Sequence, residues 1–173
     1  MLRVIILTIL LLFSYNKNVN SQEKIVFIDL NYIFINSVAG KDLNTRVDDL
    51  SVELDNKIRL FKEEITLEKN KLMSQKNVLS PEEYNKKVKK LENDINEKNQ
   101  SISKKKKELS ILKSKGEKEF FKKLNAIIEN YSVDNSIGII LKKNDLLMAK
   151  KKLDITKYIF DLFNEKVNKI TIN

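Results

Sequence analysis

The sequence predicts a mainly α-helical protein with a small β body, in which a long antiparallel coiled-coil hairpin projects from a strand-containing oligomerisation base. No glycine or proline lies between Gly40 and Pro81. Apolar residues recur at steps of three and four before and after Pro81, which keeps one face of each helix apolar. Ser80, Pro81 and Glu83 have the spacing of a capping box with proline at the first helical position, so the chain reverses direction there. The predicted hairpin spans residues 40–131.

Residues 1–21 have the pattern of a secretory signal peptide. Arg3 supplies a positive charge, and residues 4–13 are almost continuously apolar. Small or tolerated residues then precede a predicted cleavage site between Ser21 and Gln22. The alternative, an uncleaved anchor, is disfavoured because the apolar run is too short to span a bilayer. We therefore expect an exported mature protein.

After the signal peptide the sequence predicts a strand and a short helix. Residues 24–30 are rich in β-forming residues and carry apolar side chains on both faces, as in a strand buried on both sides. Asp29 is placed to cap the helix that follows, with Ile33 and Phe34 pointing inward. Gly40 then marks the point where the first long helix begins.

The two hairpin helices are predicted at residues 41–76 and 81–131, with lengths of roughly 55 Å and 75 Å. Pairing the arms around position 79 leaves the second helix longer, so its end reaches into the base. Three polar residues interrupt the seam, the apolar face where the helices meet: Glu68, Asn99 and Lys106. Because polar groups lose solvation energy in a narrow interface, we expect a weak and flexible outer hairpin. A broad apolar surface over residues 120–128 predicts a firm attachment at the base.

The remainder of the chain is predicted to return to β-structure and end in a helix. A second strand is expected at residues 137–141 and a short third strand at residues 145–149, joined by a tight turn at residues 143–145. Asp154 is placed to cap a final amphipathic helix.

Residues 22–39 and 132–173 together make a base too small to be stable by itself. Small sheets leave their edges exposed, and pairing those edges between chains is a common solution. The sequence therefore predicts a homo-oligomer with a shared β-structure. The candidate association residues belong to the two principal strands: Ile25, Phe27, Ile137, Ile139 and Leu141.

The composition excludes several kinds of chemistry. The chain has no cysteine and no histidine, which removes disulfides, thiol catalysis and the usual transition-metal sites. Its glycines, at positions 40, 116 and 138, do not form a phosphate-binding loop. No potential nucleophile or general acid lies in a context that suggests a pocket. We expect a protein that is not an enzyme, with no cofactor, no metal and no catalytic residue.

Positive charge is concentrated in the outer hairpin. The formal net charge is +9, and residues 69–107 contain 12 lysines against 5 acidic residues. Four lysines near the tip are candidates for attracting acidic clients or an anionic membrane surface: Lys86, Lys87, Lys89 and Lys90. A solvated lysine-rich helix surface is the open alternative. Nucleic acid is disfavoured because the basic residues are almost all lysine, whereas bidentate phosphate and base contacts favour arginine.

A second, thinner apolar stripe lies outside the predicted seam of the first long helix. Val52, Leu60 and Leu67 project about 140–220° from the seam residue Val47, at 100° per residue. Weak, scattered apolar contacts of this kind suit a surface that holds an unfolded polypeptide. Isolated exposed leucine and valine residues are also ordinary on protein surfaces, so that alternative stays open.

Four stretches carry a resemblance to a known family: KIVFIDLNYIF, Ala39-Gly40-Lys41, LSPEEY at the hairpin turn, and ILKKNDLLMAKKKLDIT near the end. In this order, after a signal peptide, they resemble the Skp/OmpH family of periplasmic chaperones over the whole mature chain. The resemblance implies a homotrimer whose β-structured body carries three hairpins around a cavity. It also implies that the cavity holds unfolded outer-membrane proteins in the periplasm without ATP, and it brings no catalytic residues.

Two other classes of function share these features. A structural or adaptor coiled-coil protein of the cell envelope would have the signal peptide and the hairpin but would need no unfolded client. A cationic membrane-binding protein would place the basic hairpin tip on an anionic surface such as lipopolysaccharide. The lipopolysaccharide site proposed for some members of the family does not align with this tip, so its residues are not carried over.

Overall fold

The computed structural model describes residues 23–172, so the predicted signal peptide and its cleavage site lie outside the described residues. In chain order the elements are strand β1 (Lys24–Ile28) and helices α1 (Leu30–Asn36), α2 (Val38–Ser74) and α3 (Pro81–Asp134), followed by strand β2 (Ile137–Lys142) and helix α4 (Thr156–Lys166). Single 3-10 turns lie at Lys143–Asp145 and Lys151–Leu153. The predicted fold class is confirmed, because the hairpin of α2 and α3 projects from a small body made of β1, α1, β2 and α4.

The hairpin turn has the predicted capping chemistry. Ser80 Oγ accepts a hydrogen bond from the Glu83 N–H at 3.3 Å, and the Glu83 carboxylate accepts one from the Ser80 N–H at 3.2 Å. Hydrogen bonds from the Ser80 hydroxyl and N–H also hold the pKa of Glu83 below its ordinary value. Pro81 takes the first helical position, where its missing N–H is not needed. The capping box and the proline together define the point of reversal.

Helix α2 begins at Val38, earlier than predicted, and Gly40 lies inside its first turn. Ser37 caps the helix by accepting a hydrogen bond from the Gly40 N–H at 3.2 Å. The glycine is needed for close approach and not, as predicted, for starting the helix. A Cβ at position 40 would overlap the carbonyl oxygen of Phe34, so only glycine lets α1 fold back onto the start of α2.

Strands β1 and β2 form a two-stranded parallel sheet, although the whole hairpin lies between them in the chain. Ser136, with a left-handed φ of 53°, turns the chain from the end of α3 into β2. The pairing register shifts between Lys24 and Ile25, and Ile25 then pairs with Ile139. This irregularity leaves Ile137 packed against the core and Ile139 exposed, so the two do not share a face.

The predicted third strand at residues 145–149 and the tight hairpin turn before it are wrong. Residues 143–145 form a 3-10 turn, and residues 146–150 are irregular and unpaired. A strand forms only where its backbone pairs with an edge. Both edges of β1 are occupied, one by β2 and the other through the bridge of Phe27 to Asp154, and the segment does not pair with the outer edge of β2. Its apolar composition therefore does not lead to a strand within residues 23–172.

The two predicted aspartate caps differ in geometry. Asp29 caps α1 as predicted, its Oδ1 accepting a hydrogen bond from the Tyr32 N–H at 2.9 Å. In α4 the N-cap position belongs to Ile155 and not to Asp154. Asp154 still satisfies one backbone donor at this helix end, because its Oδ1 accepts from the Thr156 N–H at 2.9 Å.

The hydrophobic core lies where the hairpin meets the body. Phe120, Leu124 and Ile127 of α3 are buried together with Leu43 and Val47 of α2 and with body residues, including Val26, Ile28, Ile33, Ile159 and Phe163. The ring centroid of Phe120 lies 4.9 Å from that of Phe34 and 4.7 Å from that of Phe163. The apolar surface predicted over residues 120–128 is therefore the part of the hairpin that the body covers.

Candidate binding surfaces

The two hairpin helices pair around the predicted centre. Lys98 of α3 lies over the ring of Phe61 of α2, with its Nζ 5.7 Å from the ring centroid. Closer to the turn, Lys87 Nζ donates a hydrogen bond to Gln75 Oε1 at 3.0 Å. In each pair the average of the two residue numbers is close to 79, the predicted centre of the hairpin. Helix α3 consequently runs past the start of α2 into the body.

The seam between the helices opens toward the tip. Among the described residues of α3 the outermost buried one is Gly116, and seam residues farther out, such as Ile102 and Leu91, are only half-buried. An open groove of about 440 Å³ lies between the arms here, with an apolar floor that includes Phe61, Ile65 and Leu91. The polar residues predicted to interrupt the seam are all exposed: Glu68, Asn99 and Lys106. Beyond Leu54, the last buried seam residue of α2, the arms are joined by partly buried contacts among the described residues.

The three residues of the predicted second apolar stripe are exposed, and Leu60 lines an open groove beside the seam together with residues of α3. Val52, Leu60 and Leu67 are 60%, 56% and 69% exposed, on a helix whose other apolar face packs in the seam. With a rise of 1.5 Å per residue, they lie about 12 Å and about 10 Å apart along the helix axis. Charged side chains separate them, including two ion pairs whose partners lie one helical turn apart: Glu53–Lys57 and Arg59–Glu63. The stripe is a row of single apolar contacts on a charged surface.

The lysines near the tip are exposed and largely uncompensated. Of Lys86, Lys87, Lys89 and Lys90, only Lys87 has a side-chain hydrogen bond within the part of the chain that the structure describes. The four lysines at 104–107 are exposed as well, and none of them forms an ion pair within residues 23–172. The outer part of α3 therefore presents positive charge to solvent.

One face of the small sheet is apolar and exposed. Ile25 pairs with Ile139, and the two residues are 51% and 49% exposed. Leu141 pairs with Phe27 on the same face; Leu141 is exposed, whereas Phe27 is buried beside the segment that leads into α4. Ile137 packs against the core instead. Three of the five predicted association residues thus share an exposed face, next to the edge of β2 that has no partner within residues 23–172.

A polar junction joins the ends of the strands to the starts of α1 and α4. Thr156 Oγ1 accepts a hydrogen bond from the Asp29 N–H at 2.9 Å, and Lys143 Nζ lies 3.0 Å from Asp29 Oδ2. The hydrogen bond from the Tyr32 N–H, with that from Lys143, holds the pKa of Asp29 below its ordinary value of 3.8. The same carboxylate raises the pKa of Lys143. The junction accounts for the FIDLNY and LDIT motifs as structural elements.

Sequence reasoning missed several exposed apolar residues of the body. Leu147 and Met148 are 104% and 89% exposed in the irregular segment after β2. Tyr32 and Ile35 of α1 and Tyr158 of α4 are also exposed. The exposure of Leu147 and Met148 is missed because a strand is predicted over residues 145–149, and residues of a strand are expected to pack against a neighbour. The absence of alternating apolar and polar residues in this segment argues against a strand and could have revealed the exposure.

Within residues 23–172, no group of acidic side chains could hold a metal ion, and no helix is both long enough and apolar enough to cross a membrane. The architecture is that of a long helical hairpin mounted on a small strand-containing body. Its exposed features are an apolar stripe and a basic tip on the hairpin and an apolar sheet face on the body. These features are extended exposed surfaces and, within the described residues, do not form a closed pocket.

Comparison with known proteins identifies the family. The model of the family described as "Outer membrane protein (OmpH-like)" matches residues 24–162. The chain therefore belongs to the OmpH-like family, as the sequence motifs predict. No curated protein sequence matches at a significant level.

Among solved structures, the chain is similar to the crystal structure of a candidate outer membrane chaperone (OmpH-like) from Caulobacter crescentus CB15. The TM-score is 0.79 at 14% sequence identity, and the match covers 87% of this chain and 89% of that chain. At this identity the similarity shows the fold alone. The hairpin and its body are thus a shared architecture.

Proposed function

We propose that this protein is an ATP-independent holding chaperone of the periplasm, which binds unfolded outer-membrane proteins and prevents their aggregation in transit. Membership of the OmpH-like family and similarity in fold to a candidate outer membrane chaperone support this function. The observation that carries the proposal is the exposed row of Val52, Leu60 and Leu67 on a long hairpin arm. It offers apolar contacts over a length of the hairpin without a closed pocket.

The strength of these contacts suits holding and release. Full burial of one such side chain stabilises a complex by about 1.5–3 kcal/mol, and partial burial by less. Several contacts must therefore act together to retain an unfolded chain, and each one can break separately. Release follows when the client finds a larger apolar partner in the membrane assembly machinery.

A homotrimer is part of the proposal. Ile25, Ile139 and Leu141 form an exposed apolar face beside the open edge of β2. Both features favour association, since exposed edges and apolar faces invite pairing with another chain. Association through the bodies leaves three hairpins free to surround a client, and the half-buried outer seam lets each hairpin adapt to clients of different size.

The basic tip contributes attraction at long range. Lys86, Lys87, Lys89 and Lys90 present positive charge at the far end of the hairpin, where it steers acidic clients toward the cavity. The same charge also suits an anionic membrane surface or lipopolysaccharide. Changing all four lysines to glutamine is expected to slow client capture and to reduce its dependence on salt.

Dilution of a urea-unfolded outer-membrane barrel tests the holding function. The protein is expected to suppress light scattering in amounts close to those of the client. Combined substitution Val52→Ser, Leu60→Ser and Leu67→Ser should abolish most of this effect. A matched control variant removes three exposed apolar side chains outside the stripe: Val78→Ser, Ile111→Ser and Val133→Ser. Equal losses in the two variants would show that the stripe has no special role.

The alternative functions give different results in the same experiments. A structural or adaptor coiled coil leaves the scattering unchanged. A cationic membrane-binding protein binds anionic vesicles without a client, and salt weakens this binding.

Export is checked by sequencing the N-terminus of the exported protein, which is expected to begin at Gln22. If the mass of the protein in solution is that of a monomer, the cavity shared by three hairpins is ruled out.

A further inference from the structure

We propose that residues 167–172, called the strap below, form a latch that fixes the angle between the hairpin and the body and opens without unfolding the body. Helix α4 ends at Lys166, and the strap that follows has no helix or strand. It turns back onto the base of the hairpin. Ile170 is fully buried there, and its carbonyl oxygen accepts a hydrogen bond from Arg46 Nη2 of α2 at 2.8 Å.

The strap also contacts the second hairpin helix. A Cβ at Gly116 of α3 would lie 3.1 Å from Cδ1 of Ile172 and 2.6 Å from Cδ1 of Leu43. Glycine inside a helix is unfavourable relative to alanine, so its presence here fits the close approach of three chain segments. The strap therefore clamps both arms, α2 through Arg46 and α3 through Gly116.

The strap lies at a mechanical boundary of the hairpin. Gly116 is the outermost buried residue of α3 within the described chain, and beyond it on α2 Leu54 is the last buried seam residue before the half-buried outer seam. Inward of Gly116, Phe120 and Leu124 belong to the core. With the strap in place, bending begins outside Gly116. Once the strap leaves, the pivot moves inward, and the hairpin samples a wider range of angles.

Few hydrogen bonds hold the strap, and its remaining contacts are apolar, through Ile170 in the core and through Val167 and Ile172 packed against it. Within residues 23–172, its backbone N–H groups make one backbone hydrogen bond, from Val167 to the Phe163 carbonyl. Its clamp, Arg46, is partly exposed and is held in place by Asp42, whose Oδ2 accepts from Arg46 Nε at 2.9 Å. Segments with few backbone hydrogen bonds open locally before the elements around them.

Helix α4, in contrast, is tied to β1 and to the first residue of α2 independently of the strap. The Ile155 N–H donates to the Phe27 carbonyl oxygen at 3.0 Å, and Asn164 Oδ1 accepts from the Val38 N–H at 2.9 Å. Opening of the strap therefore takes Ile170 out of the core but leaves α4 tied to β1 and α2. In the proposed chaperone the latch sets how large a client the hairpins can admit. That consequence rests on the proposed function, whereas the latch itself is measured without a client.

Distances between spin labels test the latch. The chain has no cysteine, so labels at Val78→Cys in the hairpin turn and Glu165→Cys on α4 report the distance from hairpin to body. Labelled chains are diluted into an excess of unlabelled chains, so that only distances within one chain are measured. Ile170→Ala and Arg46→Met are each expected to broaden this distribution about twofold by favouring the open strap. Thr171→Ala, at an exposed position of the strap, serves as the matched control and should leave it unchanged.

A second label pair, Lys24→Cys with Glu165→Cys, monitors the body alone. A broader hairpin distance with an unchanged body distance in either variant supports the latch. Unchanged hairpin distances in both variants overturn it. The latch is also overturned if both variants broaden the body distance, because the strap is then an inseparable part of the core. If the protein does not suppress aggregation but the label distances change as expected, the holding function is refuted and the latch is still supported.

Discussion

Gly40 lies so close to Phe34 that a Cβ on the glycine would overlap the phenylalanine carbonyl oxygen. The contact joins α1 to the first turn of α2, and so holds the start of the hairpin against the body. Because a backbone atom and not a side chain blocks the space, Gly40→Ala must displace α1. Overpacking costs about 1–3 kcal/mol and occasionally more, so we expect a loss near the upper end of this range in the free energy of unfolding, measured by urea denaturation.

Gly138→Ala is the control for this substitution. The three atoms nearest to a Cβ at position 138 all belong to the side chain of Glu23, an exposed residue before β1, and include its Cβ at 2.7 Å, so Glu23 must shift. We expect a smaller loss of stability than for Gly40→Ala, because no backbone atom of a packed helix blocks the space. Equal losses of stability in the two alanine variants would show that α1 does not constrain the hairpin.

The contrast between base and outer hairpin gives a second prediction. Phe120 is fully buried among three other aromatic rings, whereas Phe61 is half-buried under Lys98. Phe120→Ala should lower the free energy of unfolding by about 3–5 kcal/mol. Phe61→Ala should lower it by about 1 kcal/mol. Hydrogen exchange should quicken throughout the body in the first variant but only in the outer arms in the second. The reverse order would show that the outer seam is the stronger part.

The capping box predicts a local effect. Ser80→Ala removes the acceptor for the Glu83 N–H and should destabilise the start of α3 by about 1 kcal/mol. We expect faster hydrogen exchange at residues 81–84 with little change in the thermal midpoint of the body. Ser101→Ala, an exposed position inside α3, is the control. A lowered midpoint for the body would contradict the separation of tip from base.

Acid should weaken the polar junction. The pKa of Asp29 is lowered in the folded protein, mainly by the hydrogen bond from the Tyr32 N–H and also by Lys143. A carboxyl with a lowered pKa contributes stability above its ordinary value of 3.8, and this stability is lost as the pH falls through the folded pKa. In Asp29→Asn the slope of stability against pH below about pH 5 should therefore be flatter. Urea denaturation between neutral and acid pH measures it, and an unchanged slope would exclude Asp29 as the source.

Association should depend on the exposed sheet face. Ile139→Lys and Ile25→Lys place charges on paired positions of this face, where a partner chain would have to desolvate them. We expect each variant to shift the mass in solution from trimer toward monomer, as measured by light scattering during gel filtration. Ile111→Lys adds the same charge at an exposed hairpin position and should not change the mass. A trimeric Ile139→Lys protein would place the interface elsewhere.

Local chemistry is sufficient to predict most of the helical architecture. The capping box at Ser80 and Glu83, the proline at the start of α3 and the periodic apolar face define the hairpin from the order of residues alone. Asp29 is likewise recognisable as a cap because its side chain acts on a donor three residues away. These features depend on neighbours in sequence.

Features that depend on distant neighbours are predicted less well. The role of Gly40 is misjudged from the sequence because Phe34 blocks it only after α1 has folded back. The register shift in the sheet, which turns Ile137 inward, arises from pairing between strands at opposite ends of the hairpin. The strap is not predicted at all, since nothing near Ile170 in sequence reveals its contact with Arg46. The exposure of Val52, Leu60 and Leu67 on α2 is predicted because helical periodicity alone shows that they lie outside the seam.

The direct pairing of β1 with β2 makes the hairpin, in topological terms, an insertion between two adjacent strands. Seven residues added to each arm would lengthen it by about 10 Å and leave every body contact in place. Arm length is therefore a dimension that evolution or design can vary without rebuilding the body from which the arms extend.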